Sequence, residues 1–234
     1  PNRTRWVEED FNRLWAEGVL EDPKRKRTSE FLRANEVKNI VSQVDYLLDI
    51  HSMQKPCVPL MMAGMLNKGI DFARDVGIQM PIISDSGHNE GMRMRDYFGF
   101  SNKESQKNAL LVECGQHWAK SSEIVAIETM IRFLRTTSIM DENFADDFIY
   151  KNKVLNFQND VYKVGKIITI KSENFKFDQD WQGFETLKKG VLIGKDDNEK
   201  VYAPFEETIL IMPSKRLFPG KTAVRLAYKL SDYK

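Results

Sequence analysis

Two cysteines and three histidines are all that 234 residues offer of the side chains most used for soft-metal binding, and each scarcity removes a class of protein. Cys57 and Cys114 form no CxxC pair and lie far apart in the chain. A disulfide framework is therefore not expected, and a reducing, cytoplasmic setting fits better than a secreted one. Any histidine-based metal site or catalytic pair must draw on His51, His88 and His117. A dominant charge is also lacking: 35 Lys+Arg face 34 Asp+Glu, for a formal net charge of +1. That excludes the broad basic field of a typical nucleic-acid binder. The longest apolar stretch, residues 58–66, is far too short for a membrane span and contains Pro59 and Gly64. No phosphate-cradling Gly-rich loop, GxSxG elbow or HExxH motif occurs. The chain opens Pro-Asn-Arg-Thr-Arg-Trp, with neither a Met nor a signal-peptide pattern, which suggests a fragment, a processed chain or a trimmed one.

What is present is an ordinary globular composition. Hydrophobic residues at 41% and charged ones at 29% argue against wholesale disorder and leave room for one large domain or two modest ones. Residues 28–44 have a helical period, with Val37, Ile40, Val41 and Val44 on one stripe and Thr28 or Ser29 as N-cap. Residues 46–50 read as a short, largely buried strand. A second helix is expected over about residues 65–76, a strand at 80–83, a third strand at 109–112, and a helix over about 121–134. In that last helix Ile124, Ile127, Ile131 and Leu134 share a stripe. Short apolar strands alternating with amphipathic helices imply an α/β fold with a mostly parallel or mixed sheet and flanking helices. Past about Tyr150 the pattern changes to short apolar runs separated by turn signals such as Lys188-Lys189-Gly190 and Phe218-Pro219-Gly220. The expected division is an α/β catalytic domain over residues 1–150 and an all-β domain over 151–234. The basic run Lys24-Arg25-Lys26-Arg27 follows Glu21-Asp22-Pro23 and reads as a solvated loop.

In open α/β sheets, ligands bind outside the carboxyl ends of the strands. His51 follows one apolar strand and Glu113 follows another, so their side chains can converge on one crevice. Polar residues also end strands for structural reasons alone, and for either residue taken singly the two readings are even. Asp49, two residues before His51, lies on the same strand face and can orient the imidazole, or cap a neighbouring turn. Glu113 in a partly dry cleft suits a general base that later acts as acid. Near the N-terminus, Arg5, Asn12 and Arg13 sit close together in sequence. Guanidinium forks bind carboxylates or stabilise oxyanions, although a charged surface segment has the same composition. Weaker constellations are the Cys114/His117 pair, three residues apart, and the polar loop carrying Asp85, His88 and Glu90.

Three of these segments carry a resemblance. Leu48-Asp49-Ile50-His51-Ser52 resembles the DLHS segment of the aspartoacylase / succinylglutamate desuccinylase family, within the zinc carboxypeptidase superfamily. Leu111-Val112-Glu113-Cys114-Gly115-Gln116-His117 resembles that family's segment with the catalytic glutamate. Thr4 to Arg13, reading Thr-Arg-Trp-Val-Glu-Glu-Asp-Phe-Asn-Arg, resembles its TRY…DLNR segment. The three occur in family order, and the β-rich tail with Lys189-Gly190 and Ala203-Pro204 resembles the family's C-terminal domain. The resemblance implies a zinc-dependent hydrolase that cleaves the amide of a small N-acyl amino acid, with one zinc ion per site. It implies His51 as the third zinc ligand, Glu113 as the residue that activates water and passes the proton on, and Arg5 as the oxyanion stabiliser. Asn12 and Arg13 would hold the substrate carboxylate. The family's first two zinc ligands, a His-x-x-Glu pair upstream of the TRY…DLNR stretch, have no counterpart here, so the zinc site is incomplete in this chain. The alternative is a non-catalytic small-molecule-binding or interaction module that has lost the metal. The expected partner is a small molecule, with neither nucleic acid nor membrane involved; a homo-oligomer is allowed, although no interface is legible.

Overall fold

The computed structural model describes residues 6–87, 90–152, 158–231 and 233. Helix α1 (Ser29–Gln43) begins where Thr28 turns its hydroxyl oxygen onto the Phe31 amide at 3.0 Å, satisfying one of the amide groups a first turn leaves without a helical acceptor. The buried side chains of α1 are Phe31, Ala34 and Val41, while Ile40 is 65% exposed. The expected stripe is thus rotated toward the N-terminal turn, because Phe31 and Ala34 pack on Leu14, Trp15 and Leu20 of the preceding segment.

Strand β1 (Tyr46–Met53), strand β2 (Leu60–Met62), helix α2 (Asn67–Val76), strand β3 (Ile82–Ser84), strand β4 (Asn108–Gln116) and helix α3 (Lys120–Thr136) follow. Helix α4 (Asp146–Lys151) precedes the strands β5 (Val161–Thr169), β6 (Lys176–Phe177), β7 (Thr186–Lys188), β8 (Leu192–Asp196), β9 (Glu199–Tyr202), β10 (Glu207–Ile211) and β11 (Thr222–Lys229). Eight of the strands form one mixed sheet in the order β1-β4-β2-β3-β5-β11-β10-β7, and β6-β8-β9 form a small antiparallel sheet. The β1/β4, β2/β3 and β3/β5 pairs are parallel, whereas β2/β4 and everything beyond β5 are antiparallel. This is the α/β architecture expected from the alternation of strands and helices. The change of pattern near Tyr150 falls where the chain passes from βα units to strands only, and β5 continues the main sheet by pairing with β3. No helix among the described residues is long and apolar enough to cross a membrane.

Side-chain alternation along β4 divides the interior. Leu110, Val112 and Cys114 face α2 and α3 in one core with Ile70, Phe72 and Val125. Ala109 and Leu111 face the opposite side, packing with Trp15 and Phe100, and with Ile83 and Ile211, respectively. Glu113 has the parity of the second set. Strand β1 is one of the two outer strands of the sheet and not the largely buried one its composition suggests: Tyr46 is 44% and Ile50 46% exposed. Apolar composition is shared by interior strands and by edge strands covered on one face, so it does not separate them.

Candidate active site

Strands β1 and β4 run parallel, so their carboxyl ends open on the same side of the sheet. The register makes His51 and Glu113 Cα partners. Two residues back on the same face of β1, Asp49 places Oδ1 2.9 Å from His51 Nε2. Asp49 is itself held: its Oδ2 accepts from Asn12 Nδ2 at 3.5 Å, and the Asn12 carbonyl oxygen of the side chain accepts from the Met94 amide at 2.7 Å. Asn12 is buried and does not line the cleft. Its neighbour Arg13 does, with Nη1 donating to the Asn12 backbone carbonyl at 2.5 Å and Asp10 3.7 Å from Nη2. Arg5 and His88 lie outside the described residues.

The cleft that these residues enter has a volume of about 610 Å³. One wall comes from Asp10, Arg13 and the end of β1; the other comes from Gln182 and from the stretch between β10 and β11. Six Lys/Arg and three Asp/Glu side chains line it, so its field favours small anions. At the mouth Lys221 bonds Glu90 at 2.8 Å and lies over the Trp6 ring, 5.5 Å from its centroid.

On the cleft floor the structure places a group that the sequence does not announce. Arg225, in the middle of β11 and 3% exposed, donates from Nε to Asp85 Oδ2 at 3.1 Å. Asp85 is fully buried, and its other oxygen accepts from Arg93 Nη2 at 2.6 Å. Arg93 also bonds Asp96, as does Arg95, which reaches the backbone carbonyls of Ala63 and Ala109. Burial pushes the Asp85 carboxyl upward, but the adjacent Arg93 and Arg225 charges outweigh it and hold the group below the usual carboxylate range. The backbone makes room for this network: a Cβ on Gly64, whose φ is +74°, would lie 2.0 Å from Arg95 Nη1. The polar loop carrying Asp85 and Glu90 is thus engaged in ion pairs with Arg93, Arg225 and Lys221. A charged residue between Val224 and Leu226 was the available clue to Arg225.

Cys114 and His117 do not meet as a catalytic dyad. The Cys114 thiol is buried and pushed up to about 12 by desolvation, so it is protonated at neutral pH. His117 instead places Nδ1 2.8 Å from the Ser52 hydroxyl.

A zinc site of the structural or catalytic kind needs at least three protein ligands at about 2.0–2.3 Å. Among the described residues no group of three His, Cys, Asp or Glu side chains is placed to hold a metal ion. His51, backed by Asp49, has the form of an oriented metal ligand, but the described residues do not by themselves fit a zinc site.

The mixed sheet with paired His51 and Glu113 at its carboxyl end defines the chain as an α/β protein with the fold of the succinylglutamate desuccinylases and aspartoacylases. The succinylglutamate desuccinylase of Pseudoalteromonas atlantica is 21% identical to it over 245 residues, covering 94% of this chain and 65% of that protein. The chain therefore spans about two-thirds of that relative's length. The crystal structure of succinylglutamate desuccinylase from Vibrio cholerae superposes with a TM-score of 0.66 at 17% identity, over 97% of this chain and 67% of that one. Murine aminoacylase 3 gives a TM-score of 0.60 at 17% identity, over 97% and 78% of the two chains. No protein-family model matches the chain.

Proposed function

We propose that the chain belongs to the aspartoacylase / succinylglutamate desuccinylase family and forms the substrate cleft of a hydrolase that cleaves the amide of a small N-acyl amino acid. The observation that carries this reading is the pairing of His51 with Glu113 at the head of an anion-attracting cleft. Because the chain covers 65% of the curated relative, the activity and substrate of the whole protein are part of the proposal.

In this reading Glu113 takes a proton from the attacking water as the new C–O bond forms, then delivers it to the nitrogen as the C–N bond breaks. Arg13 binds the substrate carboxylate through its fork, with Asn12 fixing the turn that presents it. Arg5 stabilises the oxyanion. A zinc ion belongs to the proposal only together with ligands other than those the described residues supply. The test is release of carboxylic acid from a panel of N-acyl amino acids by the natural gene product, with its metal content measured in parallel. Undiminished release in Glu113→Gln would reject the role of Glu113. A small-molecule-binding module without catalysis is the second reading, favoured by the described residues, among which no three metal-ligating side chains are placed to hold an ion; a metal-free, inactive gene product that still binds N-acyl amino acids would establish it.

A further inference from the structure

One wall of the cleft is fastened from outside it. Residues 6–13 bring Trp6, Asp10 and Arg13 to the cavity, yet the outer end of this stretch has no apolar anchor at Val7, which is 80% exposed. A carboxylate from the first turn of α1 holds it instead. Glu30 Oε1 accepts from the Val7 amide at 2.5 Å, and Oε2 accepts from the Glu8 and Glu9 amides at 3.3 and 3.4 Å. Three successive N–H groups converging on one point make the kind of backbone concavity that binds anions, and here the anion is built into the chain. Hydrogen bonds to an ionised acceptor are roughly twice as strong as those between neutral groups.

The clasp is reciprocal. Glu8 accepts from the Ser29 amide at 2.8 Å and pairs with Lys26 at 3.0 Å. Glu9 accepts from the Thr28 hydroxyl and pairs with Arg25 at 2.6 Å. Asp10 follows the clasped residues directly and starts the short turn Phe11–Arg13, where its Oδ1 accepts from the Asn12 amide at 3.0 Å and its carbonyl from the Arg13 amide at 3.0 Å. The same carboxylate lies 3.7 Å from Arg13 Nη2. The backbone that Glu30 fixes therefore leads without a break into the group that sets the Arg13 guanidinium. Glu30 itself does not line the cleft.

We propose that Glu30 is a positioning residue for Arg13: by clasping the amides of residues 7–9 to α1, it holds the cleft wall that presents the Arg13 fork to the substrate carboxylate. The role rests on the proposed function, in which Arg13 binds that carboxylate. The competing role is local, since an acidic side chain in a first turn also stabilises its own helix.

The test compares the wild-type natural gene product with Glu30→Ala, which removes both acceptor oxygens, and Glu30→Gln, which keeps the length and one oxygen. Each is assayed on an N-acyl amino acid and on its C-terminal carboxamide, which lacks the carboxylate. Glu30→Ala is expected to lower kcat/KM for the acid about tenfold, chiefly through KM, and to leave that for the carboxamide within about twofold. Glu30→Gln should recover part of the loss. Equal losses on both substrates, unchanged kinetics, or failure of both variants to fold would each overturn the proposal in favour of a role confined to α1. A second readout does not depend on turnover: hydrogen exchange of the Val7, Glu8 and Glu9 amides, which should be at least about tenfold faster in Glu30→Ala. Equal exchange in the two proteins rejects the clasp. If the wild-type protein shows no hydrolysis, the hydrolase reading fails, and calorimetric binding of the same acid and carboxamide decides the positioning role. A preference for the acid that Glu30→Ala reduces supports it; an unreduced preference, no preference or no binding overturns it.

Discussion

His51 and Glu113 stand directly across from one another on parallel strands, each the last polar residue of an apolar run, with Asp49 2.9 Å behind the imidazole. The pairing exists because β1 and β4 start in register, Tyr46 opposite Asn108, and both keep an unbroken two-residue alternation up to this point. The ladder becomes irregular only past it, between His51 and Met53. Glu113→Gln removes the proton carrier while preserving shape, and a general acid–base residue contributes about 10²–10⁴-fold. That loss in kcat, with an unchanged melting temperature, is the expected result in a turnover assay.

The stability of the fold should carry an acid limb from Asp85. Its carboxyl has a folded-state value below the ordinary one, since Arg93 and Arg225 outweigh the effect of burial. A group lowered on folding contributes stability above its unfolded value, near pH 4, and that contribution disappears as pH falls through the folded value. Urea unfolding from pH 6 down to pH 2 is expected to show this decline. Asp85→Asn should flatten it and lower stability at pH 7 by about 3–5 kcal/mol, because two buried guanidinium groups lose a charged partner.

Neither thiol should behave as a reactive nucleophile. Burial raises Cys57 to about 11 and Cys114 to about 12, so at pH 7.5 the thiolate fraction of each is small. Iodoacetamide followed by mass spectrometry is expected to leave Cys114 unmodified in the folded protein and to modify Cys57 slowly. Both cysteines should react readily in denaturant. Rapid alkylation of native Cys114 would contradict its placement on the core face of β4.

Much of this architecture is legible in the residues themselves. The helix over residues 29–43 announces itself through Thr28, and His51 and Glu113 stand out together because both close apolar strands of one sheet and can converge on one crevice, although either alone would be an ordinary strand end. The rest depends on tertiary partners. The family resemblance implies Asn12 and Arg13 as a pair of carboxylate binders, yet the Asn12 side chain is turned inward by the Met94 amide and Asp49. Arg225 reads as one polar position in an alternating strand, and only the arrival of Asp85 from 140 residues away makes it a buried charge. Strand β2 is hidden in an apolar stretch where Pro59 and Gly64 suggest irregular backbone. Nothing in the composition of β1 marks it as an outer strand, because its exposure depends on which strand lies beside it.

The interior should respond to truncation as a close-packed core does. Leu110 on β4 is fully buried against Ile70, Phe72 and Val125, so Leu110→Ala is expected to cost about 2–5 kcal/mol in chemical denaturation. Thr28→Ala removes an N-cap and should cost about 1 kcal/mol. The contrast between the two separates core packing from helix initiation.

The most direct measurement is hydrolysis of N-acyl amino acids by the natural gene product, wild type against Glu113→Gln, with bound zinc quantified in the same samples. The expected result is carboxylic acid release by the wild-type protein that falls by at least about 10²-fold in Glu113→Gln at equal metal content and equal folded fraction. Equal release from the two proteins, or no release from a zinc-loaded wild type on any N-acyl amino acid, would contradict the assignment of this cleft as a deacylase active site.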